Sequence, residues 1–373
     1  TIKNYTDRTD LFQNNRLSTV KELATKYRFF HNQLEFIEVF KQRGGFDVVV
    51  GNPPWLKIVF EEGSILSDKY PEIVIRKTSA PEIKTKREEF FKDEFLKSLY
   101  FDEYIKNDSF ACFMSCCSNY SLLIGQQTNL YKCVIENGFN ILATDGFMGL
   151  LHPDGVYDDP NGQILRKEIY QRLKFHFHFR NQLMLFAEIG HRVDYGAHIY
   201  SGKHNIIGFY SIHYLFHPST IDGCFKHDGN GECGGMKVKT KEGKYSWNLK
   251  PHKNRIVYFT EKELKVLSIL FDDGEDYRTT KLVTVFSNSL IRVFESLSLF
   301  KSKVNDFDNK ITVCWDETID VNNKIIKRET KYPKVDNYEF IFSGPHFFIN
   351  NPFSKTPKSV CVEKADYDII NLQ

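Results

Sequence analysis

Apolar residues recur at every third or fourth position between residues 16 and 43. This spacing is the period of an amphipathic helix, so it predicts one helix over residues 16–43. Gly44 and Gly45 follow directly and indicate where the helix ends. The next run, from Phe46 to Val50, is short and β-branched, which is typical of a strand buried on both faces, as in a parallel sheet. A helix, a glycine pair and a buried strand in this order make half of a βαβ unit.

Helical and strand patterns alternate as far as residue 216. Residues 60–107 are rich in Lys and Glu and predict a partly helical insertion with a solvated face. The remaining pattern predicts helices over 128–142 and 162–173, and strands over 147–151, 175–179, 197–200 and 206–216. Because strands and helices alternate along the chain, the expected fold is a doubly wound α/β sheet.

The pattern changes after about residue 220. Residues 228–235 are rich in glycine, which marks a break between folded segments. Beyond them, strand, loop and charged stretches are mixed without a clear period. We therefore assign residues 1–225 to an α/β domain that carries the insertion 60–107, and residues 226–373 to a mixed α+β region.

The composition of the chain argues against several classes of protein. Hydrophobic residues make up 41% of it and aromatic residues 15%, which is too much for a disordered chain. The net charge is only +2, so any nucleic-acid surface would be a local cleft rather than a wholly basic module. The eight cysteines are irregularly spaced, and no apolar run is long enough to span a membrane. We therefore expect reduced thiols and a cytoplasmic protein.

Asn52, Pro53, Pro54 and Trp55 follow the predicted strand at Phe46 to Val50 almost directly. Ligands of doubly wound sheets bind beyond the carboxyl ends of the strands, which is where this loop falls. Two successive prolines hold the backbone extended and remove two amide donors. The side-chain oxygen of Asn52 and the carbonyl oxygen of Pro53 can then each accept one hydrogen of a planar amino group. Trp55 can stack on the ring that carries this group.

These four residues are therefore the candidate catalytic residues. The alternative is a proline turn with an aromatic side chain packed on it.

Two blocks around this loop, residues 31–40 and 44–55, resemble the signature of large bacterial N6-adenine DNA methyltransferases. More narrowly, they resemble the methyltransferases of fused type II restriction–modification enzymes and related phage-defence methylases. The resemblance implies a Rossmann-like sheet in residues 1–225. It also implies methyl transfer from S-adenosylmethionine to adenine N6 in double-stranded DNA, by base flipping. Asn52 and Pro53 would bind the target amino group, Asn52 would also contact the cofactor, and Trp55 would stack on the base.

A weaker similarity continues downstream. Residues 129–131 and 146–153 resemble the next helix and strand of these methyltransferases. Residues 185–196 resemble a later block, in which Tyr195 is the candidate for packing on the other face of the flipped base. Residues 344–353 resemble the opening of the target-recognition region, so residues 226–373 are assigned to the start of that domain. The implied partners are DNA and the subunits of a restriction or defence system.

The cofactor site departs from the family pattern. These enzymes bind S-adenosylmethionine with a glycine-rich loop well upstream of the Asn-Pro-Pro motif, but only 51 residues precede Asn52 and no Gly-x-Gly lies among them. We therefore expect a sheet that is incomplete at its N-terminal side. The chain would be a central fragment that binds the cofactor weakly or not at all and is inactive alone.

Two other functions stay open from the sequence. The same loop serves methyltransferases that act on RNA adenine or on protein glutamine, because it recognises the planar amine. The second is a non-catalytic DNA-binding or scaffold module of a restriction or phage-defence complex. Binding of the cofactor would separate an enzyme from such a module.

Several weaker motifs compete with ordinary structural roles, and no metal site is assigned. Cys224, His227 and Cys233 make an incomplete set of zinc ligands. Two carboxylate–Glu-x-Lys patterns resemble those of metal-dependent nucleases, namely Asp320 with Glu329 and Lys331, and Asp68 with Glu82 and Lys84. Two stretches offer cationic groups to a DNA phosphate, namely His176, His178 and Arg180, and the basic run 324–331. A half-buried strand and a solvated hairpin are the ordinary interpretations of these two stretches.

Overall fold

The computed structural model describes residues 15–127, 129–240, 242–272 and 274–300, together with residues 302, 306, 316, 319–326, 354–355 and 368–369. The chain divides into two compact units, residues 1–302 and residues 303–373. The first unit contains the central sheet and all the candidate residues of the Asn-Pro-Pro-Trp loop.

Six strands form the central sheet of the first unit. The strands of this unit are β1 Phe46–Gly51, β2 Leu142–Pro153, β3 Leu173–Arg180, β4 Asp194–Ser201, β5 Gly208–Leu215, β6 Lys237–Lys239, β7 Tyr245–Trp247 and β8 Val257–Thr260. The order in the sheet is β1-β2-β4-β3-β5-β8, and β6 and β7 form a separate hairpin. β4 and β8 run antiparallel to their neighbours. β1, β2, β3 and β5 run in one direction, so their carboxyl ends lie at one edge of the sheet.

Helices lie before, between and after these strands along the chain. Those of the first unit are α1 Asn15–Tyr27, α2 Asn32–Glu35, α3 Ile37–Arg43, α4 Glu62–Ser67, α5 Glu72–Ile75, α6 Ala80–Phe90, α7 Glu94–Ser115, α8 Leu130–Ile141, α9 Gln163–Tyr170, α10 Ser219–Lys226, α11 Glu261–Phe271 and α12 Asn288–Ser298. Among the described residues, no helix combines the length and the apolar character needed to cross a membrane. The α/β class of the sequence prediction is confirmed, with a central sheet that is mixed because β4 and β8 run antiparallel to their neighbours.

The prediction of a single helix over 16–43 is wrong at its centre. The chain leaves α1 after Tyr27, and Arg28 has a φ of +49°, a left-handed conformation that cannot continue a right-handed helix. The chain is helical again only in α2 and α3. The end of α3 is as predicted, because Gly44 is left-handed and its N–H donates to the Phe40 carbonyl. Gly45 lies so close to the backbone of Ile141 that a side chain would collide with it.

β1 begins and ends as predicted, but it is not buried on both faces. It is an edge strand that pairs only with β2 among the described residues. Val48 is 66% exposed and Val50 is 80% exposed. β1 therefore has the apolar composition expected of a central strand, although it lies at the edge of the sheet.

The predicted helical insertion is present as α4 to α7, which extend to Ser115. Six of its buried apolar residues form a core of their own, namely Leu66, Ile73, Ile83, Phe90, Leu96 and Tyr100. Arg87 donates two hydrogen bonds to the Glu62 carboxylate at 2.6 and 2.8 Å, which ties α6 to α4. Ser79 and Glu82 form a capping box that begins α6. The Glu82 carboxylate is thereby engaged in capping, which argues against the nuclease pattern with Asp68.

The predicted boundary at residue 225 does not coincide with a break in the structure. β8 pairs with β5 as the last strand of the central sheet, and the first unit continues to Ser302. The glycine-rich stretch before β6 is held to the rest of this unit by polar contacts. His252 contacts the Gly231 carbonyl at 3.2 Å, and Asn248 donates to the Gly235 carbonyl at 2.8 Å.

The described parts of the second unit are short. They are α13 Ile319–Asn322 and the antiparallel pair of β9 Ser354–Lys355 and β10 Asp368–Ile369. Residues 344–353, which resemble the opening of a target-recognition region, lie outside the described residues, as do Glu329 and Lys331. The assignment of this region stays a prediction.

We expect Ile135→Ala to destabilise the first unit by about 2–5 kcal/mol, because Ile135 of α8 is fully buried in the main core and its loss leaves a cavity. Ile164→Ala is the matched control. Ile164 lies on a helix but is 47% exposed, so its replacement should change the free energy of unfolding by less than about 0.5 kcal/mol. Urea unfolding of both variants measures the difference, and equal losses would contradict the packing of α8 on the sheet.

Candidate active site at the carboxyl edge of the sheet

The Asn-Pro-Pro-Trp loop leaves the sheet at the carboxyl end of β1. Gly51, the last residue of β1, pairs with Leu150 of β2. Asn52 is exposed, and none of the described residues hydrogen-bonds to its side chain. Pro53 is buried, whereas Pro54 is exposed. The loop therefore presents a free amide at the edge where ligands of parallel sheets bind.

Trp55 anchors this loop to the neighbouring strands. Its indole Nε1 donates a hydrogen bond to the Leu151 carbonyl of β2 at 3.2 Å. The centre of its ring lies 5.5 Å from that of Phe186 and 5.6 Å from that of Tyr195. The side chain is half-buried, so part of its surface stays open to solvent.

Tyr195 lies beneath Trp55 and is only 2% exposed. Its ring stacks on Phe179 with a centroid distance of 5.5 Å and meets Phe186 edge to face at 5.1 Å. Burial raises the pKa of its hydroxyl, so the side chain is neutral. The sequence predicts that Tyr195 packs directly on a base, but the surroundings of Tyr195 in the structure are different. The faces of its ring are occupied by neighbouring aromatic side chains, and it supports Trp55 instead.

Asn181 holds the loop that carries Phe186, and the sequence analysis did not identify it. Its side chain is fully buried. The amide nitrogen donates to the carbonyls of Phe186 and Ile189 at 2.8 and 3.0 Å, and the amide oxygen accepts from the Phe186 N–H at 3.0 Å. A polar residue directly after a buried strand was the only signal in the sequence.

Five histidines cross the opposite face of the same sheet. They lie on β2, β4, β3 and β5 and are each 4% exposed or less, namely His152, His198, His176, His178 and His213. Neighbouring rings are close, with centroids 3.7 Å apart for His152 and His198 and 5.1 Å apart for His176 and His198. The buried position of His176 and His178 argues against phosphate contacts by these two residues. Arg180 is partly exposed and faces Asp194 at 3.4 Å.

Asp154 lies at the centre of these histidines, just after β2. Its Oδ2 atom is 3.0 Å from His176 Nε2 and 3.7 Å from His178 Nε2, and its Oδ1 atom is 3.4 Å from His198 Nε2. Burial alone would raise the pKa of Asp154, but His176 and the other histidines hold it below the usual value. Burial lowers the pKa of His152 to about 4. The carboxylate is thus charged and His152 is neutral at pH 7.

A cavity of about 440 Å³ opens beside Asp154. Residues that line it include Tyr157, His176, His178, Asp194, His213 and Lys281. It lies on the histidine face of the sheet, away from the aromatic contacts of Trp55. The carboxyl edge of the sheet therefore carries two separate arrangements, an exposed amide with an aromatic platform and a buried histidine–carboxylate cluster.

The remaining weak motifs do not assemble into sites among the described residues. Asp154, His176 and His198 are the one group there whose ligand atoms suit a metal, so Cys224, His227 and Cys233 form no such group. Cys224 is buried and His227 accepts a hydrogen bond from the Gly229 N–H. Asp320 accepts one from the Asp316 N–H at 2.7 Å.

Comparison with known families gives one match. Residues 2–123 match the model of the Eco57I restriction-modification methylase family, and this segment contains the Asn-Pro-Pro-Trp loop. It is less than half of the 373 residues. No curated protein matches the chain.

Solved structures of restriction–modification proteins also resemble parts of the chain. The type I methyltransferase subunit from Streptococcus thermophilus matches at 13% identity over 48% of this chain and 28% of that chain, with a TM-score of 0.27. A modification subunit of a putative type I restriction enzyme from Vibrio vulnificus matches at 11% identity over 34% and 32%, with a TM-score of 0.22. The M protein of the type I enzyme EcoKI matches at 11% identity over 55% and 48%, with a TM-score of 0.26. The chain thus spans less than half the length of each, and scores this low carry no conclusion about function.

We expect Trp55→Phe to lower the free energy of unfolding by about 0.5–1.5 kcal/mol, because it keeps an aromatic ring but removes the hydrogen bond to Leu151. Asn52→Ala should change this free energy by less than about 0.5 kcal/mol, since the side chain is exposed and unpartnered among the described residues. Chemical unfolding of both variants tests the pair. A large loss in Asn52→Ala would mean that the amide supports the fold and is not free for a ligand.

Proposed function

We propose that this chain carries the amine-binding part of an adenine-specific DNA methyltransferase that transfers the methyl group of S-adenosylmethionine to adenine N6 by base flipping. The observation that carries the proposal is the Asn-Pro-Pro-Trp loop at the carboxyl edge of the sheet, with an exposed amide and an anchored indole. The match of residues 2–123 to a restriction-modification methylase family supports it.

Each residue of the loop has a separate role at the target adenine. The Asn52 side-chain oxygen and the Pro53 carbonyl oxygen each accept one hydrogen of the amino group. Electron density moves toward the nitrogen, and its lone pair is held in one direction. Trp55 provides the face on which the extruded base stacks, and Tyr195 contributes by holding Trp55 in place. Pro54 keeps the loop extended.

The cofactor is expected to supply an activated methyl group on a sulfonium, so the loop needs no strong general base. Asn52 is exposed at the end of β1 and suits contact with such a ligand from one side. Among the described residues, β1 is the first strand and follows no glycine-rich loop of the kind that binds a nucleotide. These residues therefore form one wall of a cofactor pocket and do not fit the whole group.

Two observations bear on the choice of substrate. The family match is to methylases of restriction–modification systems, which supports DNA over RNA or a protein glutamine. The chain continues for more than 100 residues beyond β8, which offers material for recognising a large substrate. The expected partners are therefore double-stranded DNA and subunits of a restriction or phage-defence system. A non-catalytic DNA-binding or scaffold module is the alternative from another class.

We expect Asn52→Ala to abolish methyl transfer while leaving the fold intact, because it removes one of the two acceptors for the amino group. Activity is measured with radiolabelled S-adenosylmethionine on unmethylated duplex DNA, in a preparation that transfers methyl groups, whether this chain or a longer protein that contains it. Gln127→Ala is an unrelated amide control. Normal activity of Asn52→Ala would refute the mechanism.

We expect Trp55→Ala to weaken binding of a flipped adenine by about 1–3 kcal/mol, the usual worth of a base stacked on an aromatic side chain. The measurement is fluorescence of 2-aminopurine placed at the target position in duplex DNA. Trp55→Phe keeps a stacking face and serves as the matched variant, with a smaller loss. An unchanged affinity in Trp55→Ala would show that the indole has only its structural role.

We expect S-adenosylhomocysteine to bind the 373-residue chain weakly or not at all, because the described residues form only one wall of a pocket. Calorimetric titration measures this directly. Binding at micromolar strength would contradict the expectation and make the chain a complete cofactor site. Tight binding of double-stranded DNA, with an affinity that the cofactor does not change, would favour the scaffold alternative.

A further inference from the structure

The buried cluster around Asp154 has no part in the proposed methyl transfer. We propose that Asp154, His176 and His198 bind one divalent transition-metal ion of the zinc or ferrous-iron class. The ion would join the end of β2 to the middle of β3 and of β4, on the face of the sheet opposite Trp55. This inference rests on the geometry of the cluster and is independent of the proposed enzymatic function.

The three side chains have the spacing of a metal site. Their ligand atoms all lie within 4.8 Å of one another, and no other group in the described part of the chain meets this condition. Metal–nitrogen and metal–oxygen bonds of zinc are about 2.0–2.2 Å, so two ligands of one tetrahedral ion lie roughly 3.4 Å apart. The distances from the Asp154 oxygens to His176 and His198 are 3.0 and 3.4 Å. Two imidazoles and one carboxylate suit zinc and ferrous iron.

The two ring nitrogens of His176 face Ser211 and Asp154. The Ser211 hydroxyl donates to the His176 carbonyl at 3.1 Å. The Ser211 oxygen also lies 2.9 Å from Nδ1 of the His176 ring. His176 Nε2 lies 3.0 Å from an Asp154 oxygen, and a bound ion would take the place of the proton between these two atoms. Metal-binding histidines are commonly oriented in this way, by a partner on the other ring nitrogen.

His198 is also held through one ring nitrogen while the other faces Asp154. His198 Nδ1 and the Tyr157 hydroxyl form a hydrogen bond at 3.0 Å. His152, whose ring stacks on that of His198, contacts the Pro153 carbonyl through Nδ1 at 2.8 Å and the Tyr200 hydroxyl through Nε2 at 2.8 Å. His198 Nε2 is left without a hydrogen-bond partner among the described residues.

Two buried polar atoms without partners face each other here. His198 Nε2 and Asp154 Oδ1 lie 3.4 Å apart, and neither has a hydrogen-bond partner among the described residues. Buried polar atoms without a partner are costly. A cation bound to both atoms removes this cost. The His176 nitrogen faces the same carboxylate and supplies the third ligand.

The other histidines of the cluster are not ligands. His178 Nδ1 accepts from the Tyr214 N–H at 3.1 Å, and His213 Nδ1 accepts from the Val285 N–H at 3.2 Å. Their Nε2 atoms therefore carry protons, and that of His213 has no hydrogen-bond partner among the described residues. Both residues line the cavity beside Asp154. The ion would thus have three protein ligands and an open position toward the cavity. The donors there suit a water, a hydroxide or a small oxyanion.

The test is a calorimetric titration of the 373-residue chain with zinc chloride after treatment with a chelator. Three exposed thiols, Cys112, Cys116 and Cys117, would bind zinc themselves, so all three are replaced by serine in every protein compared. We expect one zinc ion per chain, bound at micromolar strength or tighter.

Four variants locate the ion. Asp154→Asn and His198→Gln each remove one ligand and should abolish stoichiometric binding. Ser211→Ala keeps all three ligands but removes the hydroxyl that contacts the other ring nitrogen of His176, and it should weaken binding roughly 10–100-fold. His217→Gln is the matched control, because this histidine is exposed and lies outside the cluster, and its affinity should be unchanged. Circular dichroism of each variant checks that it is folded.

A second measurement needs no variant of the cluster. Cobalt added to the cysteine-replaced chain should give visible d–d absorption bands of a low-coordinate nitrogen and oxygen site, and zinc should displace them. Bands like those of cobalt in water, or zinc binding that Asp154→Asn leaves unchanged, would overturn the proposal. The cluster would then be a polar network in which Asp154 and a histidine share a proton.

Discussion

The alternation of side chains along β2, β3 and β4 is the constraint on which both arrangements at the carboxyl edge depend. Successive residues of a strand point to opposite faces of a sheet. Phe179 and Tyr195 therefore lie with Trp55 on one face, and His176 and His198 lie around Asp154 on the other. A shift of one residue in the pairing of β3 with β4 would exchange the two faces and destroy both.

The position of the Asn-Pro-Pro-Trp loop depends on β2 more than on β1. β1 is an edge strand with exposed valines, and it contributes pairing to β2 alone among the described residues. Trp55 adds the second attachment, through its hydrogen bond to Leu151 and its contacts with Phe186 and Tyr195. Two prolines between the strand and the indole then leave the chain little freedom, so Asn52 is held without a side-chain hydrogen bond to another described residue.

Burying five histidines on one face of the sheet costs more desolvation free energy than burying apolar residues at the same positions would. Most of their ring nitrogens are matched with a backbone group, a hydroxyl or another side chain, as buried polar groups require. The exceptions include His198 Nε2, which faces an unpartnered oxygen of Asp154, and His213 Nε2. Asp154 and His213 both line the cavity on this face, so the unpartnered atoms of the cluster lie near that cavity.

The sequence by itself determined the local elements and the position of the Asn-Pro-Pro-Trp loop after a strand. Helical and strand periods, glycine ends and prolines act over a few residues, so the strand before Asn52 and the alternation from α8 to β5 were predictable. Only the tertiary structure decided that β1 is an edge strand, that Tyr195 is buried under Trp55, and that Asp154, His176 and His198 meet. These outcomes depend on strand order and register, which bring together residues far apart along the chain, and no local period records them.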